Sequence, residues 1–116
     1  MPVNSLPAEW LRGTLSLCVL GLLSEGDSYG YAITERLEEA GLGVIKGGTL
    51  YPLLARLESQ QLVEPVWRSG QGPDRKYLHL TDAGRSELTD LRSRWKRFAS
   101  TVDSLAHGRT KDDHGG

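Results

Sequence analysis

The chain has 116 residues, of which 38% are apolar, and a formal net charge of −1. This length fits one domain with a modest core, and the near-zero charge excludes a uniformly basic protein, so any nucleic-acid surface must be a local patch. The single cysteine, Cys18, excludes an intramolecular disulfide and suits a reducing compartment.

The first predicted element is an apolar helix from about Pro7 to Leu23. Its apolar side chains recur three and four residues apart, at Leu11, Leu15, Cys18, Val19 and Leu22. The apolar run 14–23 also has the length of a signal-peptide core, but its flank is not strongly basic and no small-residue cleavage site follows. It is too short to span a bilayer, so a buried first helix is favoured.

A second helix is predicted from Ser28, a common N-cap residue, to Gly41, a common C-terminal stop. Tyr29 lies on its apolar face and is interpreted as core. The segment after Gly41 is longer than the turn of a minimal helix-turn-helix. It has room for a very short strand at Val44-Ile45.

The third predicted helix lies in "GGTLYPLLARLESQQLVEP", residues 47–65. Its buried stripe and its opposite, small and polar face follow from the helical repeat. The stripe consists of Leu50, Leu53, Leu54 and Leu57, and the opposite face of Tyr51, Pro52, Ala55, Arg56 and Ser59.

The start of this third helix carries a proline, which a helix tolerates in its first turn. We therefore expect Gly48 or Thr49 to be the N-cap. Such a start presents unpaired N–H groups that attract phosphate, and recognition helices contact bases through their first residues. DNA binding explains an outward Tyr51, whereas an ordinary core helix explains only Pro52.

Two strands, 62–68 and 75–81, are predicted around the turn-forming loop "SGQGPD". Pro65 indicates that the first strand is an edge strand or starts late. Arg75 and Lys76 follow the projecting loop, opposite Arg68, and such a basic tip suits phosphate or minor-groove contact. A solvated hairpin is the alternative, but residues 46–85 hold six basic and four acidic side chains, a local net charge of +2.

The last predicted helix runs from Thr81 or Asp82 to about Ala106. Its apolar side chains follow a heptad pattern that exceeds what a small domain covers, so we expect a second copy of the helix, with the first helix alongside, to cover them. The predicted dimer interface comprises Leu11, Leu88, Leu91, Trp95, Phe98, Val102 and Leu105.

The order of elements predicts a mainly α fold: a winged helix-turn-helix with a two-stranded β wing and a long C-terminal dimerisation helix. Residues 1–81 form the predicted DNA-binding domain, with the first helix also part of the dimer interface. Residues 82–106 form the dimerisation helix, and the polar residues 107–116 a disordered tail.

No catalytic or metal-binding constellation is evident in the sequence. His79, His107 and His114 lack metal-ligand spacing, and Cys18 lies in the most apolar helix. We therefore predict no enzyme, cofactor or metal. A winged helix used only for protein–protein contact is the alternative to DNA binding, and the basic wing argues against it.

Three segments resemble the PadR family of bacterial transcriptional regulators in order and spacing. They are "YGYAITERLEEAG" (29–41), "GTLYPLLARLE" (48–58) and "RKYLHLTDAG" (75–84). The resemblance covers about residues 10–106, and the single C-terminal helix resembles the small subgroup. Two departures are Gln61, where the family often has glycine, and Leu78, where it often has an aromatic residue. We expect Gln61 to adopt a left-handed conformation.

The resemblance implies a cytoplasmic homodimeric repressor that binds a palindromic operator in double-stranded DNA and is released by a small-molecule effector. In some small relatives a tryptophan corresponding to Trp95 pairs with its symmetry mate and sandwiches planar apolar drugs. Trp95, with Trp10, is therefore a candidate ligand site, and packed dimer core is the alternative. The candidate DNA contacts are Tyr31, Gly48, Thr49, Tyr51, Pro52, Arg56, Arg75 and Lys76.

Overall fold

The structure, a computed structural model, describes residues 6–70 and 72–108. It confirms a mainly α winged helix with one two-stranded antiparallel sheet. The elements in chain order are α1 (Ala8–Ser24), α2 (Gly30–Leu37) with a π-helical turn (Glu38–Leu42), α3 (Gly47–Ser59), β1 (Val63–Gly70), β2 (Gly72–Leu80) and α4 (Asp82–His107).

One hydrophobic core joins α1, α2 and α3 to the base of the wing. The predicted α3 stripe is confirmed, because Leu50, Leu53, Leu54 and Leu57 are all buried. Burial of one such leucine stabilises the fold by roughly 1.5–3 kcal/mol, so these four side chains fix which face of α3 remains outside. The other core residues are Leu15, Val19, Leu20, Leu23, Ile33, Leu37, Ile45, Val63, Leu78, Leu80 and Leu88.

The start of α2 differs from the prediction. Tyr29, not Ser28, is the N-cap residue, and Ser28 forms a β-bridge with Leu78, exchanging backbone hydrogen bonds of 3.2 and 2.7 Å. Ser28 thereby flanks β2 on the side away from β1. The short strand predicted at Val44-Ile45 is wrong: Ile45 is a core residue in a loop, and Val44 is exposed.

The wing strands are longer than predicted. Most of the expected "SGQGPD" loop lies within β1 and β2, since Arg68 pairs with Arg75 and Gly70 with Gly72. Gln71 lies outside the described residues. Pro65 occupies an edge strand, as predicted, because within the described ranges β1 pairs with β2 alone.

The last helix begins where the sequence predicts. The Thr81 hydroxyl accepts a 2.9 Å hydrogen bond from the Gly84 N–H and caps the helix. Gly84 is buried, and a Cβ there would collide with the Leu62 carbonyl, so glycine lets α4 pack against the turn after α3. Gln61, in that turn, has a φ of 62°, which confirms its left-handed conformation.

Helix α4 ends at His107, so this residue, which was predicted to belong to the tail, is helical. Residues 109–116 lie outside the described part of the chain. Among the described residues, no helix is both long enough and apolar enough to cross a membrane.

Candidate nucleic-acid interface

The first turn of α3 is exposed and begins earlier than predicted. Lys46 is the N-cap, and Gly47 the first helical residue, so the prediction that Gly48 or Thr49 caps the helix is wrong. Pro52 consequently lies in the second turn, where its missing N–H leaves the carbonyl of exposed Gly48 without the usual helical donor. The start of α3 therefore offers both N–H groups and an acceptor to an external partner.

Tyr51 lies on the outer face of α3, as predicted, with 56% of its surface exposed. Its ring nevertheless rests on the backbone of Gly30, the first residue of α2. Because the buried leucines determine which face of α3 points outward, the Tyr51 phenol lies between the N-terminal ends of α2 and α3. Thr49 and Pro52 are exposed nearby on the same helix.

Arg75 and Arg68 of the wing belong to a ladder of stacked side chains. The Arg75 guanidinium lies 4.3 Å from the centre of the Tyr29 ring, and Tyr29 meets Tyr77 edge to face at 5.1 Å between ring centres. Arg68 lies 4.5 Å from the centre of the Tyr77 ring. Cation–π contacts of this kind contribute about 0.5–1 kcal/mol each at exposed sites. Tyr29, interpreted as core, is in fact half-buried within this ladder.

Asp27, in the loop between α1 and α2, ends the ladder. Its carboxylate oxygens accept from Arg68 Nη2 at 2.8 Å and contact His79 Nδ1 at 2.7 Å. This contact between Asp27 and His79 could not be predicted from the sequence, because 52 residues separate them. The contacts tie both wing strands to the start of α2.

Lys76 links the wing to α3. Its Nζ lies 3.0 Å from Oε1 of Glu58. Both groups are about a third or more exposed, so the pair contributes at most about 1 kcal/mol. Arg75, by contrast, forms no ion pair with any described carboxylate, and its charge is therefore more available than that of Lys76.

A cleft of about 430 Å³ lies between α2, α3 and β2. It brings together four of the predicted DNA contacts, namely Tyr31, Tyr51, Arg75 and Lys76, with Tyr29 and Glu58 on its walls. Arg56 lies apart from it and donates a 3.3 Å hydrogen bond to Ser16 of α1. We call Tyr31, Thr49, Tyr51, Arg75 and Lys76 the recognition surface.

Trp67 of β1 is an exposed wing residue that the sequence reasoning did not select. It pairs with Lys76 in the sheet and is 63% exposed. The alternation along β1 puts Trp67 on the same sheet face as buried Val63, two positions beyond Pro65. The sequence did contain a signal for Trp67, because it continues the alternation of inward-facing residues along β1 beyond the point where the core ends.

The second exposed surface is the apolar stripe of α4. Trp95 is 44%, Phe98 62%, Val102 46% and Leu105 76% exposed; we call these four residues the α4 stripe. Leu88 is 5% exposed and Leu91 is half-buried, and both pack against the core of their own chain. Their predicted dimer contacts stay a prediction. Leu11 is likewise half-buried, whereas Trp10 is exposed on α1.

Two features of the described residues bear on catalysis, namely potential metal ligands and the single cysteine. No group of three or more potential metal ligands occurs among residues 6–70 and 72–108. Burial raises the pKa of the Cys18 thiol, which disfavours the reactive thiolate.

Comparison with known proteins assigns the fold to a family. A sequence model of the "Transcriptional regulator PadR-like family" matches residues 19–90. The chain is 33% identical over 94 residues to "Transcriptional regulator Rv3488" of Mycobacterium tuberculosis, covering 81% of this chain and 87% of that protein.

Solved structures agree with this match. A PadR family transcriptional regulator from Eggerthella lenta has 39% identity and a TM-score of 0.79, covering 87% of this chain and 88% of that one. A PadR-like transcriptional regulator from Bacillus cereus has 34% identity and a TM-score of 0.78, covering 86% and 98%. The exposed recognition helix, the basic wing and these matches agree, and the chain belongs to the PadR-like family of transcriptional regulators, not to a class of enzymes.

Proposed function

We propose that this regulator is a homodimeric repressor that binds a palindromic operator through the recognition surface. The observation that carries the proposal is the convergence of Tyr31, Tyr51 and Arg75 on one cleft along the outer face of α3. Three separate elements supply these side chains. If α3 served only to pack the core, their convergence on the protein surface would have no explanation.

The start of α3 enters the major groove in this proposal. Thr49 and Tyr51 face base edges there, and the Gly48 carbonyl accepts from a base amino group or a bound water. Close approach of the backbone is possible because Gly47 and Gly48 add no side chain.

The wing supplies the phosphate contacts. Arg75 reaches the backbone with its guanidinium held in place by the Tyr29 ring, which reduces the entropy lost on binding. On DNA binding, Lys76 leaves its ion pair with Glu58 and contacts a phosphate oxygen instead. Both contacts are indifferent to sequence and fix the register of α3 in the groove.

A second copy of the chain covers the α4 stripe. The four apolar side chains lie along one side of a 26-residue helix that projects from the core, and an identical stripe on a partner is self-complementary about a two-fold axis. The same axis presents two recognition helices to two half-sites, which is why dimerisation and a palindromic operator belong to one proposal.

A planar apolar effector is proposed to bind where Trp95 of each copy meets at the dimer axis, with Trp10 nearby. Trp95 packs against Phe98 with ring centres 6.2 Å apart, yet it retains 44% exposure, so part of its ring remains available for stacking. Saturable quenching of tryptophan fluorescence by planar dyes supports the effector site, and absence of quenching shows packed dimer core instead.

Salt-dependent DNA binding tests the proposal as a whole. We expect preference for a selected operator over unrelated duplex, and an affinity that falls steeply as salt rises. A protein–protein module without DNA binding gives neither result. The proposal also includes action in the cytoplasm of a bacterial cell, where the operator DNA would lie.

A further inference from the structure

Gly30 stands at a position where helix geometry does not require glycine. It is the first residue of α2, and its φ is not positive. Glycine there costs conformational entropy relative to alanine. The presence of glycine at position 30 is explained by the space that a larger side chain would occupy.

That space is filled by Tyr51. A Cβ built on Gly30 would lie 2.6 Å from Tyr51 Oη, 2.7 Å from Cε1 and 2.9 Å from Cζ. The opposite edge of the ring is close to Gly47, where a Cβ would lie 3.4 Å from Cδ2. The ring is therefore bounded by two glycine backbones, one from each helix of the helix-turn-helix.

The phenol remains chemically available in this position. No hydrogen bond to another described residue occupies Tyr51 Oη, and the side chain stays 56% exposed. A tyrosine on an exposed helix face normally samples several rotamers, and here the adjoining helix restricts it.

We propose that Gly30 is a positioning residue for operator recognition, which holds the Tyr51 ring against the start of α2 so that its hydroxyl is directed before DNA arrives. The inference rests on the proposed recognition role of Tyr51. Pre-orientation of a contact residue strengthens binding by lowering the ordering cost. The residue that sets the tyrosine lies 21 positions upstream of it on another helix.

The test is Gly30→Ala in the full-length protein. The three atoms nearest to the added Cβ all belong to the far end of the Tyr51 side chain, so we expect the ring to shift while the fold and dimer persist. We expect affinity for the selected operator to fall about tenfold, with the affinity for unrelated DNA and the salt slope unchanged. Gly21→Ala is the matched control, because a Cβ at that helical glycine has no neighbour within 4 Å.

A double-mutant cycle with Tyr51→Ala separates positioning from general damage. In the Tyr51→Ala background, Gly30→Ala should change operator affinity less than twofold, because no ring remains to displace. NMR contacts between the Gly30 Hα protons and the Tyr51 ring should be present in the unaltered protein without DNA.

Failure of the inference differs from failure of the proposed function. If Tyr51→Ala weakens operator binding but Gly30→Ala does not, or if Gly30→Ala acts equally in both backgrounds, Gly30 is not a positioning residue. If Tyr51→Ala itself leaves operator affinity unchanged, the proposed reading role of Tyr51 fails first.

Discussion

The recognition surface and the α4 stripe are both exposed, but their side chains are held very differently. On the recognition surface, Arg75 stacks on Tyr29, Lys76 pairs with Glu58, and Tyr51 rests on Gly30. On the α4 stripe, Trp95 and Phe98 contact each other, and exposure rises to 76% at Leu105.

The difference shows which surface a single chain completes. Intrachain contacts pre-organise the recognition surface, so little order remains to be imposed when a partner binds. The α4 stripe is apolar and lies C-terminal to Leu91, the last residue of α4 that packs against the core. A second copy of the chain would cover this exposed apolar surface. Changes to the stripe should therefore alter assembly, and changes to the recognition surface should alter DNA affinity alone.

The largest expected effect comes from placing charge on the stripe. Phe98→Glu with Val102→Glu would bury two carboxylates from each copy in the proposed dimer and should weaken self-association at least about 100-fold. Sedimentation velocity measures this shift from dimer to monomer. Operator affinity should fall with it, because one monomer engages one half-site.

The control for this variant is Ser100→Glu with Ser104→Glu. It adds the same charge at the same spacing on the opposite, exposed side of α4 and should leave the dimer intact. Deletion of α4 after Gly84 is a poorer test, since it would also remove Leu88 from the core. A doubly substituted stripe that remains dimeric would show that the interface lies elsewhere.

The next effect in size is that of Tyr51→Ala. Loss of the proposed base contact should weaken operator binding by about 1–3 kcal/mol, with less effect on unrelated DNA. Fluorescence anisotropy with both DNAs measures the difference, and Tyr51→Phe isolates the hydroxyl. Because the ring is more than half exposed, the free energy of unfolding should change little; a Tyr51→Ala chain that unfolds would mean that the ring is a core element.

Wing substitutions should act on all DNA sequences alike. Arg75→Ala and Lys76→Ala should each lower the slope of log affinity against log salt by about one. Lys76→Ala should cost less affinity, because the free protein already pairs this lysine with Glu58. Titrations at several salt concentrations test both, and a sequence-dependent loss would instead place these residues at base edges.

The smallest effect is expected where the wing joins the α1–α2 loop. Asp27→Asn weakens the contacts to Arg68 and His79 and should lower the free energy of unfolding by about 1 kcal/mol or less, since both partners are partly exposed. Urea denaturation measures this change. Asp90→Asn, which breaks an exposed pair with Arg94, is the control and should have nearly no effect.

The sequence predicted the parts of the fold that depend on short-range pattern. They include the leucine stripe of α3, the start of α4 at Thr81 or Asp82, and the left-handed conformation of Gln61. The start of α2 was missed because Ser28 is a good cap in isolation but is used by β2 as a backbone partner.

The candidate site was less accessible to sequence reasoning because its order arises between distant segments. Asp27 with Arg68 and Glu58 with Lys76 are ordinary surface charges until the fold brings them together. The role of Gly30 could not be predicted for the same reason, since the Tyr51 ring that packs against it belongs to another helix. The core contacts of Leu88 could not be predicted either, because a heptad pattern does not distinguish a partner chain from the same chain's core.

Selection from random double-stranded DNA with the full-length protein tests the central claim most directly. The account predicts enrichment of an inverted repeat whose half-site centres lie one helical turn, or a whole number of turns, apart. It also predicts that Tyr51→Ala weakens binding to that sequence more than to unrelated duplex. Recovery of no common sequence, or of a single unrepeated site bound equally well by Tyr51→Ala, would contradict it.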